Sequence, residues 1–429
     1  MKKTLDNATR IAKRIYDIVD VRTGVYGSGA VGLEGRGLPV GVGIYFPTPE
    51  PMLDAGMQLM KETKKKKGRL QSPGSYWTAM GRGTEKNKYL ELIADKLKKE
   101  NKLDVDPLTE IVITGGVSPG IFMVPMMLID PGDEVLMIQP DYVRNRNVKI
   151  WGAKLVEVPL REKKGVIDET RWYFDAAELE KRVTEKSKLI SFCNPNNPVG
   201  YVYSKEDLNA IANIAKKHDL FVFCNECYER FVWSKKFYDT LEFDSIAALP
   251  GMKERTFTAQ GATKGYDTEG SMEIGWTIAP PAYARILQWL QFACNQKSGT
   301  AVDGYMGMAV LTPPYREEYI RQQWKVYTEE RELLCELLNK FSWIECGKPL
   351  GGPFVFPDIS KSGLDEEAFT KFCAERGASP SSGSAWGPTY GKGHVRLAFC
   401  SPLEYQKVMH AKLEEVLKEF EVFYKPKLK

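Results

Sequence analysis

Between residues 111 and 260 the chain alternates short β-rich runs with segments of helix length, and this alternation constrains the fold more than any other feature. The runs lie at 111–114, 134–138, 154–158, 188–192, 220–224 and 255–259. Between and before them, 85–99 and 205–217 carry apolar residues at three- and four-residue spacing with charged opposite faces, which predicts covering helices. Strands joined through helices pair parallel, because a parallel neighbour needs a crossover connection rather than a hairpin. An α/β fold with a largely parallel sheet is expected.

With 429 residues the chain exceeds one ordinary domain. Past residue 300 the texture changes to a long amphipathic helix at 317–340, a Gly351-Gly352-Pro353 corner and a closing helix at 403–420. The expected division is a large domain at 48–298 and a smaller α+β domain at 299–429. Residues 1–47, glycine-rich from Gly24 to Gly43, are read as an arm and part of the smaller domain. Sixty Lys and Arg against 56 Asp and Glu leave a net charge of +4, too balanced for a polyanion-binding surface, so nucleic acid is not an expected partner. No apolar run reaches the roughly 18 residues that span a bilayer, and the first twenty lack a secretory pattern; no membrane contact and a cytoplasmic location are expected. Eight cysteines sit mostly in apolar contexts, as buried free thiols do.

Three motifs are discounted. Gly27-Ser-Gly29-Ala-Val-Gly32 matches GxGxxG but is followed by LEGRGLPVGVG, which cannot open the helix a dinucleotide fingerprint needs. Cys224 and Cys227 form a CxxC without a second pair, and His218, His394 and His410 are scattered, so no metal site is expected. The basic run at 64–67 closes a helix, where lysines complement the dipole.

Three other segments suit each other. In ITGGVSPGIF a strand ends at Thr114, glycines turn the chain, Ser118 is the expected N-cap and Pro119 follows; either a phosphate-binding helix N-terminus or a plain βα turn accounts for it. Asn194-Pro-Asn-Asn-Pro-Val-Gly200 precedes Cys224-Asn-Glu-Cys-Tyr228. Gly261-Ala-Thr-Lys264 places a lysine at a strand end in a small-residue loop, where an amine able to form a Schiff base can be held.

In this order, with VGVGIYFPTPEPMLDA before them and Arg396 in GKGHVRLAFC after, the segments resemble the class I/II aminotransferases, fold-type-I enzymes that use pyridoxal 5′-phosphate. The resemblance implies a large domain with a mostly parallel seven-stranded sheet, a smaller α+β domain and a homodimer. It implies that Lys264 forms the Schiff base and moves the Cα proton. By the same match Tyr142 stacks on the cofactor ring, Asn197 and Tyr228 bond its phenolic oxygen, and Asn225 lies at its ring nitrogen. Gly116 and Val117 offer N–H groups to its phosphate, and Tyr76 reaches in from a second subunit. Arg396 grips the α-carboxylate of an amino acid or 2-oxo acid, with Gly43 and Asn197 beside it.

Departures accompany the match. Asn225 stands where the family has an aspartate; a carboxylate about 3 Å from a pyridinium is worth on the order of 5 kcal/mol at an effective dielectric of about 20, and an amide adds no charge. The neighbouring Glu226 points to the opposite face and cannot replace it. The segment after Lys264 is one residue longer than the family pattern and puts Met272 or Glu273 where a phosphate-binding arginine belongs, so Glu273 is expected to point away, to pair with a cation or to weaken cofactor binding. Gly261 replaces a serine. Three functions follow: an aminotransferase, a non-transaminating pyridoxal-phosphate enzyme performing elimination, replacement, cyclisation or oxidation, or a degenerate ligand-binding homologue. Tyr45, Trp77 and Trp386 flank the site by analogy, hinting at a large substrate, although scattered aromatics more often serve packing.

Overall fold

The structure is a computed structural model describing residues 40, 48–67, 88–142, 148–266, 273–294 and 301–424. The expected site residues Gly43 and Tyr76, the GxGxxG run, and Tyr45 and Trp77 lie outside these residues.

Among the described residues the main sheet has β1 (Ile111–Thr114), β2 (Glu134–Gln139), β3 (Lys154–Pro159), β4 (Ser187–Cys193), β5 (Phe221–Asn225), β6 (Thr256–Gly261) and β7 (Gly275–Ile278), in the order β1-β7-β6-β5-β4-β2-β3. Only β7 runs against the others, pairing antiparallel with both β1 and β6. Six strands therefore deliver their C-terminal ends to one edge, and β7 delivers its start there. The six predicted runs match to within two residues at each end. The resemblance implied seven strands, but the residues did not locate the seventh: Gly-Trp-Thr-Ile is short, opens on glycine and is buried on both faces, so it shows no alternation.

Both faces of the sheet are covered, with alternate residues assigned to each. Leu136, Ile138, Ile190, Phe192, Val222 and Cys224 pack under α4 (Lys205–Lys217), whose Ser204–Asp207 capping box starts it at the predicted residue. Val135, Met137, Leu189, Phe223 and Phe257 face α3 (Ser118–Leu128) and α6 (Pro281–Ala293). At the β1 edge, α1 (Glu50–Lys65), α2 (Lys88–Glu100) and α7 (Ala301–Leu311) enclose Ile111, Trp276 and Ile278. The Lys64–Lys65 pair sits in the last turn of α1. The short helix α5 (Ala262–Gly265) follows β6 directly.

Further along, β8 (Phe354–Val355), β9 (Ser381–Ser382) and β10 (Val395–Ala398) form a small antiparallel sheet ordered β8-β10-β9. It shares a core with α8 (Tyr315–Asn339), α9 (Glu366–Glu375) and α10 (Leu403–Tyr424). Cys193 and Tyr228 belong to this core too, and Val117 packs against it. The small sheet therefore closes onto the C-terminal edge of the large one.

One local expectation is corrected. Ser118 is the first helical residue of α3 rather than its cap; Val117 occupies the cap position without a side-chain bond. The helix starts early because Gly116 turns in the left-handed region, at φ +72°, while the Thr114 hydroxyl donates to Gly116 O at 2.6 Å.

Candidate active site

The expected site residues within the described chain lie on or just beyond the strand ends that share this edge. Gly116 and Val117 follow β1, Tyr142 follows β2, Asn197 follows β4, Asn225 ends β5, Tyr228 lies three residues beyond it, and Lys264 sits half-buried in α5 after β6. Arg396 comes from β10 of the other sheet.

The tightest constellation surrounds Arg396. Its Nη1 donates to Asn197 Oδ1 at 3.1 Å, across 199 residues of chain. Its guanidinium lies over the rings of Trp386 at 3.8 Å and Phe354 at 3.9 Å. Two π-systems thus pack on the cation and an amide orients one of its nitrogens, which fixes the plane of a group suited to a planar anion. Trp386 also stacks obliquely on Tyr142, centroids 5.6 Å apart, and Phe354 meets Tyr228 edge-on at 5.8 Å. One set of contacts therefore joins Tyr142, Trp386, Arg396, Asn197, Phe354 and Tyr228. The sequence placed Trp386 beside the site only by analogy, with packing as the alternative, and did not single out Phe354, because aromatic spacing carries no record of which ring will cover a distant cation.

Asn225 is buried, and its Oδ1 accepts from Cys227 N at 3.2 Å, which leaves the amide nitrogen as the donor end. Glu226, fully buried, turns away: Ser245 Oγ and Gln260 Nε2 donate to its carboxylate at 2.7 and 2.8 Å. Burial pushes Glu226 up to about 7. Gln260 Oε1 accepts from Lys96 Nζ at 2.9 Å, and Lys96 is paired with Glu229. Arg230, beside that pair, lies over Tyr266 at 4.8 Å, so a buried polar network backs the α5 turn.

At the phosphate turn the structure answers the question posed by Glu273. A Cβ added to Gly116 would run into Glu273 Oε2, so the carboxylate lies against the turn instead of pointing away. Three glycines meet there: a Cβ on Gly275 would strike the Gly116 carbonyl, and one on Gly261 would come within 2.5 Å of Ile274 O.

The family described as aminotransferase class I and II matches residues 50–411. The chain belongs to this family. An aspartate aminotransferase of Pyrococcus abyssi is 32% identical over 331 residues, covering 77% of this chain and 81% of its own. An aromatic-amino-acid aminotransferase 2 of Thermococcus litoralis is 33% identical with the same coverage. The crystal structure of an aromatic aminotransferase from Pyrococcus horikoshii superposes with a TM-score of 0.78 at 28% identity, covering 90% of this chain and 97% of its own. This class I/II aminotransferase homologue is thus an aminotransferase-like enzyme, and its membership implies use of pyridoxal phosphate. The comparisons do not favour the elimination, oxidation or degenerate readings. No helix among the described residues is long and apolar enough to cross a membrane.

Proposed function

We propose that the chain transfers an amino group between an α-amino acid and a 2-oxo acid, with Lys264 as the amine that carries pyridoxal 5′-phosphate and Arg396 as the carboxylate clamp. The observation that carries this reading is Arg396, desolvated between Phe354 and Trp386 and oriented by Asn197, at the strand edge that also presents Lys264. A guanidinium so placed matches the two oxygens of an α-carboxylate.

The residues fit the cofactor at its ring and aldehyde ends. Tyr142 supplies the aromatic plate, Tyr228 and Asn197 the donors for the phenolic oxygen, and Asn225 an amide donor for the ring nitrogen. At the phosphate end Gly116 and Val117 supply the turn, which Glu273 shares. The bound cofactor supplies an electron sink for the bond cleaved at Cα. Lys264, on an α5 turn pinned by hydrogen bonds from Ala262 N and Thr263 N to Ile274 O, holds and returns the Cα proton through Nζ. Arg396 fixes the substrate carboxylate, and the packed small sheet excludes water from that edge. We further propose the division into domains at 48–298 and 299–429 with residues 1–47 as an arm, a cytoplasmic homodimer, and Tyr76 and Gly43 as contributors to the cofactor and substrate sites. The exposed apolar side chains Leu53, Met57 and Met60, spaced along one face of α1, support an association surface.

Titrating the purified protein with pyridoxal phosphate tests the assignment. A visible absorbance band that is lost in Lys264→Ala, and that converts on mixing with one of a panel of amino acids, is expected. A band unchanged in Lys264→Ala would overturn the role of that lysine, and release of ammonia without conversion would overturn transamination.

A further inference from the structure

The phosphate turn already holds an anion from the chain itself. Glu273 is anchored through its neighbour Ile274, whose carbonyl accepts from Ala262 N at 2.9 Å and Thr263 N at 3.2 Å and whose N–H donates to Thr263 Oγ1 at 2.8 Å. Two residues on, Gly275 packs its backbone against the Gly116 carbonyl. The backbone on both sides of Ile274 is therefore fixed, and the Glu273 side chain extends over Gly116 at the start of α3, whose first N–H groups have no helical acceptor. The Gly261 site cannot offer a hydroxyl without disturbing Ile274 O, 2.5 Å from the Cβ it would need. Although the backbone beside it is held, Glu273 is an exposed residue, so solvent is at hand for its carboxylate when another anion takes the turn.

We propose that Glu273 is a built-in competitor for the phosphate group: its carboxylate occupies the turn at Gly116, and an incoming phosphate enters by displacing it. The proposal rests on the assignment of this turn to the cofactor phosphate. Because like charges this close repel, the competitor weakens every ligand that carries phosphate and leaves one that lacks phosphate untouched. The site therefore discriminates least where its relatives would grip hardest, and it holds its cofactor exchangeably.

The test uses the full chain and three probes: pyridoxal phosphate and pyridoxal followed by absorbance, and inorganic phosphate followed by calorimetry. In Glu273→Gln and Glu273→Ala, affinity for pyridoxal phosphate and for inorganic phosphate is expected to rise roughly tenfold or more, with pyridoxal affinity unchanged. Equal or weaker phosphate affinity in both variants, or a parallel gain for pyridoxal, would overturn the proposal. If neither aldehyde gives a band with the unmodified chain, the role of Lys264 falls, while the calorimetric arm still decides the role of Glu273.

Discussion

At the scale of single residues, the guanidinium of Arg396 illustrates how much a clamp depends on its surroundings. A lysine there would keep the charge but lose the planar fork, the stacking on Trp386 and Phe354 and the bond to Asn197 Oδ1. Arg396→Lys should lower kcat/KM by roughly 10- to 100-fold, the value of one charge-assisted hydrogen bond, with little change in Tm. Steady-state kinetics and a thermal melt together check it. Asn225→Asp should raise the transamination rate by adding the charge that the amide lacks; single-turnover rates that stay level or fall would mean that the Cys227 N–H and its neighbours have been arranged around an amide. Asn197 and Arg396 could be singled out in the sequence only through family motifs, since nothing in local spacing announces a contact across 199 residues. Trp386 was placed near the site by analogy without a role, and Phe354 had no pointer at all. Glu226 was legible from strand alternation alone, which put it on the face opposite Asn225 before its bonds to Ser245 and Gln260 were seen.

Among elements, the strands with buried β-branched or aromatic runs were readable and β7 was not, because the residue that opens it is defined by what it lacks, as is Gly261 at the end of β6 beside it. Gly275 has no Cβ so that Gly116 can approach, and Gly261 has none so that Ile274 O can. Introducing the serine that the family resemblance implies at this place, Gly261→Ser, should therefore destabilise this chain by about 1–3 kcal/mol through overpacking against backbone that cannot retreat. Urea unfolding would register the loss as a lower midpoint at unchanged slope. The α3 start was readable to within one residue; the missing detail was that the Thr114 hydroxyl and the Gly116 turn bring the helix forward to Ser118.

Across the whole molecule, buried carboxylates set how stability changes with pH. Despite burial, bonds from His394 and Lys164 bring Glu162 down to about 2, and Lys164 and Ser360 bring Asp358 down to about 2. Arg171 bridges the same pair, at 2.7 Å to Glu162 and 3.6 Å to Asp358, so the acids are already paired with cations. Their contribution is present above the unfolded carboxylate range and is lost as pH falls through about 2. Glu330 on α8 behaves oppositely: burial pushes it up to about 8, so its contribution is full below the unfolded value and disappears as pH rises towards about 8. Glu330→Gln should leave Tm unchanged near pH 4 and raise it relative to the parent near pH 8, a difference that scanning calorimetry at the two pH values resolves.

The reversed direction of β7 has a consequence for how such a site can be edited. A strand running with its neighbours would bring its last residue to the edge where the chemistry is assigned; β7 brings its first, so the segment joining Lys264 to Gly275 is a tether whose two ends are both anchored there. The side chain over Gly116 belongs to the residue just before Ile274, outside both β6 and β7, so exchanging it leaves their registers intact. Anion preference and fold are thereby written in separate places, and one can drift while the other is kept.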